Sequence, residues 1–302
     1  MTEPAIDVVH VGSACRDLTE DDPRGWRLGG GASYAALTTA RLGLRTAVVM
    51  GVDAAAASAT ELDLLRAAGV ELHLVGLAEG PIFRNRETPT GRIQSWPVHG
   101  RPLPVPDLPP SWWAARAWSF VPVASELNEA WATAVPEGTF VSLAWQGLLR
   151  RQGPDQLTER LAPVKSALVD RADLVGVSRH DLADDIPLEI AVGLLRPGAR
   201  LALTDGHLGG RTIEILSDRR TRSQTWDAVR PEREVDPTGA GDVFLAALLA
   251  AIARPDLTTR AGMGGPISDL AYAAAAASLV VEAPGLQGVP DRAAVLRRLG
   301  RG

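Results

Sequence analysis

The sequence predicts an α/β fold in which a mostly parallel sheet carries helices on both faces. Short apolar segments with the composition of buried strands alternate with alanine-rich or amphipathic helical segments. This alternation is typical of βα units, whose parallel strands are buried between two helical layers. The 302 residues suffice for one large domain of this kind, and no internal repeat interrupts the pattern. We therefore expect a single domain spanning residues 1–302.

The elements follow from apolar runs bounded by glycine and proline. The first strand ends at Gly12, and Gly43 closes the first helix. The predicted helix at 243–253 is apolar on every face, as expected of a helix buried in a large domain. Predicted strands lie at residues 6–12, 46–51, 69–75, 81–86, 92–98, 117–121, 139–143, 174–177, 201–204, 212–216 and 223–226, and predicted helices at 32–42, 54–68, 243–253 and 270–279.

A small lid departs from this alternation. The strands at 81–86 and 92–98, joined by a turn at 87–91, carry arginines and Trp96 rather than core aliphatic residues. A proline-rich stretch at 102–110 then returns the chain to the main body. We expect lid elements at about residues 14–28 and 81–98, placed to cover a ligand.

Composition and charge exclude several classes of protein. The net charge is −5 and the pI about 5.6, so no basic field favours nucleic acid or an anionic membrane. Cys15 is the only cysteine, which excludes an intrachain disulfide and a cysteine metal cluster. The apolar runs are too short to span a bilayer, and no basic segment precedes an apolar run at the N-terminus. We expect a cytoplasmic protein.

The lysine content limits the type of phosphate site. Lys165 is the only lysine and has no glycine-rich loop beside it, so the chain is not a P-loop enzyme. The His-Arg-Asp and Asp-Phe-Gly sequences of protein kinases are absent from the sequence as well. Phosphate charge would have to be met by helix N-terminal amides, Mg²⁺ or arginine.

The most informative segment is Asp-Pro-Thr-Gly-Ala-Gly-Asp-Val-Phe at residues 236–244. Asp236, Pro237 and Gly239 suit the first, second and fourth positions of a type I turn. The small residues Gly239 to Gly241 allow an anion to approach the backbone at the start of the following helix, where unpaired N–H groups and the helix dipole attract it. Asp242 stands beside that helix end as a carboxylate able to accept a proton.

This segment resembles the C-terminal signature of the ribokinase-like (PfkB) carbohydrate kinases. The resemblance implies a three-layer α/β sandwich with a small β lid. It also implies that Gly239, Ala240 and Gly241 form the anion hole for the transferred phosphoryl group, with Asp242 as the catalytic base. The alternative is a surface turn that caps a core helix, and nine consecutive matching positions favour the kinase interpretation.

The acceptor side is assigned from the same resemblance. An aspartate after the first strand binds substrate hydroxyls in the family, and a double glycine brings the loop close to the sugar; Tyr34 stands where many sugar kinases have asparagine. Residues 142–147 with Arg150 resemble the branch that contains myo-inositol kinases, although Ala144 replaces an expected acidic residue. The predicted acceptor-binding residues are Asp17, Gly29, Gly30, Tyr34 and, on the lid, Arg84.

The nucleotide side is less distinctive. Ser178 and Asp181 stand where the family carries Asn-x-x-Glu, whose glutamate holds the Mg²⁺–water shell, and helix capping is the alternative role. The loop 204–209 resembles the family's Thr-x-Gly-x-x-Gly, and a plain β-hairpin would fit it too. Small residues on the helix 270–279 leave room for a base or serve packing alone. The predicted nucleotide-binding residues are Ser178, Thr204, Gly206, Gly209, Gly239, Gly241, Ala274 and Ser278, with Asp181 as the metal residue.

Together these features predict ATP-dependent phosphorylation of a hydroxyl group on a small sugar-like or cyclitol substrate, with a myo-inositol-like acceptor favoured. The alternatives are a nucleoside or vitamin kinase of the same fold, or a catalytically silent relative that binds a ligand in regulation. We expect ATP and Mg²⁺ as cofactors, and a monovalent cation such as K⁺ beside Asp236 and Thr238. A homodimer through the lid is also expected, and Trp26 and Trp96 are the tryptophans most suited to ligand stacking.

Overall fold

The computed structural model describes residues 6–88, 91–183, 185–258 and 267–300. Residues 89 and 90, in the predicted hairpin turn, lie outside the described residues. Residues 1–5, to which the prediction about a basic N-terminal segment refers, lie outside them as well. The main element is a nine-stranded sheet in the order β15-β14-β13-β12-β9-β8-β1-β4-β5. Its neighbours pair in parallel from β13 to β5, while β13–β14 and β14–β15 are antiparallel.

The strands are β1 Val8–Ser13, β2 Cys15–Leu18, β3 Trp26–Gly29, β4 Thr46–Val52, β5 Glu71–Gly76, β6 Ile82–Thr88, β7 Gly91–Val98, β8 Ala117–Phe120, β9 Phe140–Ala144, β10 Arg150–Gln152, β11 Thr158–Arg160, β12 Leu174–Ser178, β13 Arg200–Thr204, β14 Gly210–Ile215 and β15 Thr221–Trp226. The helices are α1 Gly31–Arg41, α2 Ala54–Ala57, α3 Glu61–Ala67, α4 Pro110–Trp113, α5 Glu129–Ala134, α6 Ala167–Arg171, α7 Leu188–Leu194, α8 Ala240–Ala253, α9 Asp269–Val280 and α10 Arg292–Gly300.

Helices cover both faces of the main sheet, as the strand–helix alternation predicts. Successive residues of a strand point to opposite faces, so Val8 on β1 belongs to one apolar core and Val9 to the other. The first core is shared with α1, α3, α8 and α9, and the second with α4 to α7. The predicted α/β fold, with a mostly parallel sheet between helical layers, is confirmed.

A second sheet lies beside the C-terminal ends of the central strands. Its order is β3-β2-β6-β7, built from the two segments predicted as lid elements. Strands β2 and β6 pair in parallel, and the two outer pairs are antiparallel. A further hairpin, β10–β11, contacts the outer strand β7 through a bridge between Ser95 and Leu157.

The structure corrects three expectations. The helix predicted at 54–68 is two helices: Asp53 caps α2, and α2 ends at Ser58, whose hydroxyl donates to the carbonyl of Ala55 at 2.9 Å. Asp17 lies within β2 rather than in a loop, because the chain turns back after Ser13 to start the second sheet.

Trp96, the third correction, cannot stack on a ligand in this conformation. It is fully buried between the rings of Phe83 and His99, with centroid distances of 5.2 and 4.7 Å. Trp26 is half-buried, and the guanidinium of Arg24 lies 4.6 Å from the centroid of its ring. The apolar environment of the lid sheet, which the sequence pattern did not indicate, buries Trp96.

Candidate active site

The N-terminus of α8 presents unpaired backbone donors, as the motif predicts. Gly239 has a φ of +82° and precedes the first helical residue, Ala240. The carboxylate of Asp236 accepts from the N–H of Thr238 at 3.0 Å, which fixes the turn, and the N–H of Val243 bonds the carbonyl of Gly239 at 2.9 Å. Within the described residues, the N–H groups of Gly241 and Asp242 have no protein acceptor. This end of the helix therefore fits an anion.

Asp242 has the properties of a general base that works near neutral pH. It is half-buried at the first turn of α8, and desolvation raises the pKa of its carboxyl group to about 7. Arg150 lowers that pKa, while the charges of Asp181 and Asp17 raise it. These four charged side chains therefore act on one another across one cleft, although they come from four distant parts of the sequence.

The glycine-rich segment 29–31 lies between two carboxylates. A Cβ atom on Gly29 would lie 2.0 Å from Oδ2 of Asp17, and one on Gly31 would lie 3.0 Å from Oδ1 of Asp242. Gly30 has a φ of +95° and would meet the carbonyl of Ser13 at 2.5 Å. At Gly30 both the backbone conformation and the space require glycine, and the small size of all three residues brings the acceptor residue predicted at 17 to the same loop as the base predicted at 242.

The remaining predicted acceptor residues, Tyr34 and Arg84, lie in different parts of the structure. Tyr34 is buried on α1, and the charges of Asp17, Asp236 and Asp242 add to the effect of burial in raising the pKa of its hydroxyl. It therefore lies at the cleft. Arg84 lies on β6 of the second sheet with an exposed side chain, and its backbone pairs with Leu18 and Ser95.

Ser178 and Asp181 form a capping box at the end of β12. The carboxylate of Asp181 accepts from the N–H of Ser178 at 3.0 Å and from the side-chain amide of Gln146 at 2.9 Å. The hydroxyl of Ser178 accepts from the N–H of His180 at 3.2 Å. The capping alternative is thus present in the structure, and the carboxylate that it fixes acts on Asp242 through its charge.

The predicted nucleotide residues lie on several separate elements of the structure. Residues 204–209 form the turn between β13 and β14, where Gly209 has a φ of +86°. Asp205 and Gly210 border a cavity of about 580 Å³ that also touches Leu188 on the α7 side of the sheet. Ala274 and Ser278 lie on α9, in contact with the other core. Ser278 is buried and accepts from Arg298 at 3.0 Å.

Two residues of the cleft were not selected as site residues from the sequence. Glu126 is buried, and its carboxylate accepts from the N–H groups of Ser13, Val123 and Ala124 at 2.8–3.1 Å. It thereby ties the end of β1 to the loop after β8. Arg150 is buried next to the same loop. The only sequence signal was the position of Arg150 after the segment 142–147, and Glu126 had none.

Among the described residues there is no group of three or more His, Cys, Asp or Glu side chains that could hold a metal ion. Asp181 offers one carboxylate near the cleft, which fits Mg²⁺ because this ion keeps several waters and takes its other ligands from phosphates.

Comparison with known proteins supports the predicted family. Residues 148–292 match the pfkB family carbohydrate kinase family. The predicted resemblance to this family is confirmed over those residues, which are just under half of the chain. The same match supports the prediction of a carbohydrate kinase. A search of curated proteins gave no match.

Solved structures of the ribokinase family share the fold over nearly the whole chain. One is a pyrophosphate-dependent kinase complexed with a pyrophosphate analog and myo-inositol (18% identity, TM-score 0.70, 96% of this chain and 99% of that chain covered). Another is the nucleoside kinase of Methanocaldococcus jannaschii (17% identity, TM-score 0.68, 99% of this chain and 99% of that chain covered). A third is the ribokinase of Arabidopsis thaliana, complexed with ribose and ATP (20% identity, TM-score 0.67, 98% of this chain and 99% of that chain covered). Within the described residues, no helix has the length and apolar character needed to cross a membrane.

Proposed function

We propose that this kinase transfers the terminal phosphoryl group of ATP to a hydroxyl group of a small polyhydroxylated acceptor. The observation that carries the proposal is the position of Asp242, a carboxylate with a pKa of about 7, at a helix end where, within the described residues, the N–H groups of Gly241 and Asp242 lack protein acceptors. A base with a pKa near the working pH combines a useful ionised fraction with sufficient basicity.

In the proposed reaction the acceptor hydroxyl gives its proton to Asp242 while its oxygen forms a bond to the terminal phosphorus. The bond from that phosphorus to the bridging oxygen breaks, and ADP leaves with the electron pair. The N–H groups of Gly241 and Asp242 stabilise the charge on the transferred phosphoryl group, with Gly239 and Ala240 shaping the turn. Mg²⁺, held through Asp181 and waters, would neutralise phosphate charge when bound.

The acceptor is proposed to bind between the segment 29–31 and the second sheet. Asp17 would accept hydrogen bonds from two neighbouring hydroxyls, since its Oδ2 atom lies at the face of Gly29. The backbone of Gly30 and the ring of Tyr34 would complete this wall, and Arg84 could reach it from the lid. A cyclitol such as myo-inositol is the favoured class, supported by the similarity to a kinase solved with myo-inositol.

The nucleotide is proposed to lie along the ends of β12 and β13. Ser178, Thr204, Gly206 and Gly209 would line its phosphates and ribose, with Ala274 and Ser278 near the base. ATP as the donor is supported by the similarity to a ribokinase solved with ATP. Pyrophosphate is the second candidate donor, because a similar structure is a pyrophosphate-dependent kinase.

Three further properties belong to this proposal. A monovalent cation would lie beside Asp236 and Thr238, where Asp236 already accepts from the N–H groups of Thr238 and Gly285. A homodimer would form through the lid sheet, and the protein would act in the cytoplasm. A rate that is equal in potassium and sodium salts would remove the cation from the account.

One screen tests the function. Purified protein is mixed with ATP or pyrophosphate and, in turn, with myo-inositol, ribose, fructose, adenosine and pyridoxal, and release of ADP or phosphate is measured. We expect acceptor-dependent release that is highest with the cyclitol and is lost on chelation of Mg²⁺. A nucleoside acceptor would support the alternative of a nucleoside kinase, for which a similar structure exists. No release with any pair would contradict the proposal.

A further inference from the structure

The guanidinium of Arg150 bridges the main body and the second sheet. Its Nε and Nη2 atoms donate to the carbonyl of Val123, in the loop after β8, at 2.9 and 2.6 Å. Its Nη1 atom donates to the side-chain carbonyl of Gln94, on β7, at 2.9 Å. Arg150 itself begins β10, so three separate segments meet at one buried side chain.

An apolar cluster surrounds this bridge. The Cζ atom of Arg150 lies 4.7 Å from the centroid of the Phe83 ring on β6, which suits a cation–π contact. Phe83 stacks on Trp96, and both belong to a small core with Cys15, Val123 and Ala124. The guanidinium therefore lies on the contact through which the second sheet is packed on the main body.

Gln94 is also fixed from the β10–β11 hairpin. Its side-chain carbonyl accepts from the hydroxyl of Thr158 at 3.3 Å as well as from Arg150, and its amide donates to Asn85 at 2.9 Å. The side-chain amide of Gln152 donates to the carbonyl of Trp96. These bonds attach the hairpin to β7, so that a movement of the second sheet would have to break them.

The positive charge of Arg150 is not cancelled by a contacting carboxylate. Its hydrogen-bond acceptors are neutral amide oxygens, and within the described residues no acidic group lies at ion-pair distance. Such burial is costly for a cation, and it lowers the pKa of the guanidinium. The negative charges of Asp181, Glu126 and Asp242 act in the opposite direction. The charge thus remains available to the cleft.

We propose that Arg150 is a positioning residue that holds the second sheet against the loop after β8 and sets the electrostatic field at Asp242. The packing of the second sheet on the main body and the protonation of Asp242 would then be coupled through the side chain of Arg150. This inference rests on the proposed function of Asp242 as the base. The charged groups that act on Asp242 are Arg150, Asp181 and Asp17, and the charge of Asp242 in turn acts on Cys15 and Tyr34.

The test uses four variants of the full chain. Arg150→Gln removes the charge and keeps a polar side chain, while Arg150→Lys keeps the charge and loses the fork that grips Val123 and Gln94. Gln94→Leu removes the acceptor on the lid only. Arg151→Gln is the matched control, because Arg151 is the adjacent residue, is exposed and pairs with Glu159 at 2.8 Å.

Two measurements are made that do not need enzymatic activity. Hydrogen exchange of backbone amides in residues 93–98 reports how stably β7 is held against the main body. The ¹³C chemical shift of the Asp242 carboxyl group, assigned by its loss in Asp242→Asn, reports the titration of the base. Because neither depends on turnover, an inactive wild type would contradict the proposed function and leave this test valid.

The expected results separate the two roles. Arg150→Gln should speed the exchange of residues 93–98 about tenfold or more and raise the titration midpoint of Asp242 by about one pH unit, since an opposite charge is lost. Arg150→Lys and Gln94→Leu should speed the exchange and leave the midpoint near that of the wild type. If Arg150→Gln does not fold, the lysine and leucine variants still test the bridge.

Two results would overturn the inference. Exchange in Gln94→Leu and in both Arg150 variants at the rate of the Arg151→Gln control would show that Arg150 does not hold the lid. An unchanged Asp242 midpoint in a folded Arg150→Gln protein would show that its charge does not act on the base.

Discussion

The ring of Tyr34 packs directly against Gly239, so that a Cβ atom added to this glycine would lie 2.4 Å from the Cδ1 atom of the tyrosine. Gly239 also has a φ of +82°, which L side chains rarely adopt. Tyr34, which is predicted to belong to the acceptor site, is thus in contact with the turn before α8. A change at either position would alter the helix end at which Asp242 lies.

This contact makes a prediction about two neighbouring glycines. Gly239→Ala should lower the free energy of unfolding by about 1–3 kcal/mol, because the methyl group meets Tyr34 and the backbone conformation is strained. Gly241→Ala is the matched control, since nothing lies within 4 Å of its added Cβ atom and alanine favours the helix. Chemical denaturation of both variants checks this. Equal stability of the two proteins would contradict the packing of Tyr34 on the turn.

The fold and the signature were accessible from the sequence because both are local. The apolar run at 46–51 predicts a strand, and the structure has β4 at Thr46–Val52. The order of turn residues at 236–239 predicts the start of a helix, and α8 begins at Ala240. In both cases adjacent residues determine the conformation, so no knowledge of distant contacts was needed.

The remaining parts of the site depend on contacts between distant residues. Glu126 is 113 positions from Ser13, and Arg150 is 56 positions from Gln94, so no spacing rule pointed to them. The helix predicted at 54–68 failed for a related reason: its alanines favour a helix, but the chain must turn at Ser58 to pack α3 on the core. The position of Asp17 depended on the second sheet in the same way.

The raised pKa of Asp242 predicts how stability changes with pH. A carboxyl group with a folded pKa of about 7, above its ordinary 3.8, favours the folded state at low pH. That contribution is complete below the unfolded pKa and is lost as the pH rises to about 7. Asp242→Asn should therefore be more stable than the wild type by about 2–4 kcal/mol at about pH 8, and by much less at about pH 4. Melting curves at both pH values measure the difference, and an equal gain at each would contradict the assigned pKa.

Asp17 should matter for the acceptor and little for the nucleotide. Removing a charged hydrogen-bond acceptor costs about 1.5–3 kcal/mol, so Asp17→Ala should raise the KM for the acceptor by about 10- to 100-fold. Calorimetric titration with ATP provides the control, and we expect its Kd to stay within about twofold. Weakened binding of ATP together with the acceptor would place Asp17 outside the acceptor wall.

Asp181 should affect the demand for Mg²⁺. Its carboxylate is the one predicted to face the metal–water shell, and it also accepts from Ser178 and Gln146. Asp181→Ala should raise the Mg²⁺ concentration for half-maximal rate about tenfold, the loss expected for an outer-shell partner of a metal. Gln146→Ala serves as the control, because it removes the bond to Asp181 and keeps the carboxylate. A Mg²⁺ requirement unchanged in Asp181→Ala would leave this residue with capping alone.

The central claim is that Asp242 takes the proton of the acceptor hydroxyl at the N-terminus of α8. Its most direct test is the turnover rate of Asp242→Asn at saturating ATP and acceptor, with the acceptor identified by the screen. The asparagine has the same shape but cannot accept the proton, and a general base contributes about 10²- to 10⁴-fold. We predict a loss of turnover in that range, with ATP binding retained. Turnover within about twofold of the wild type would contradict the account.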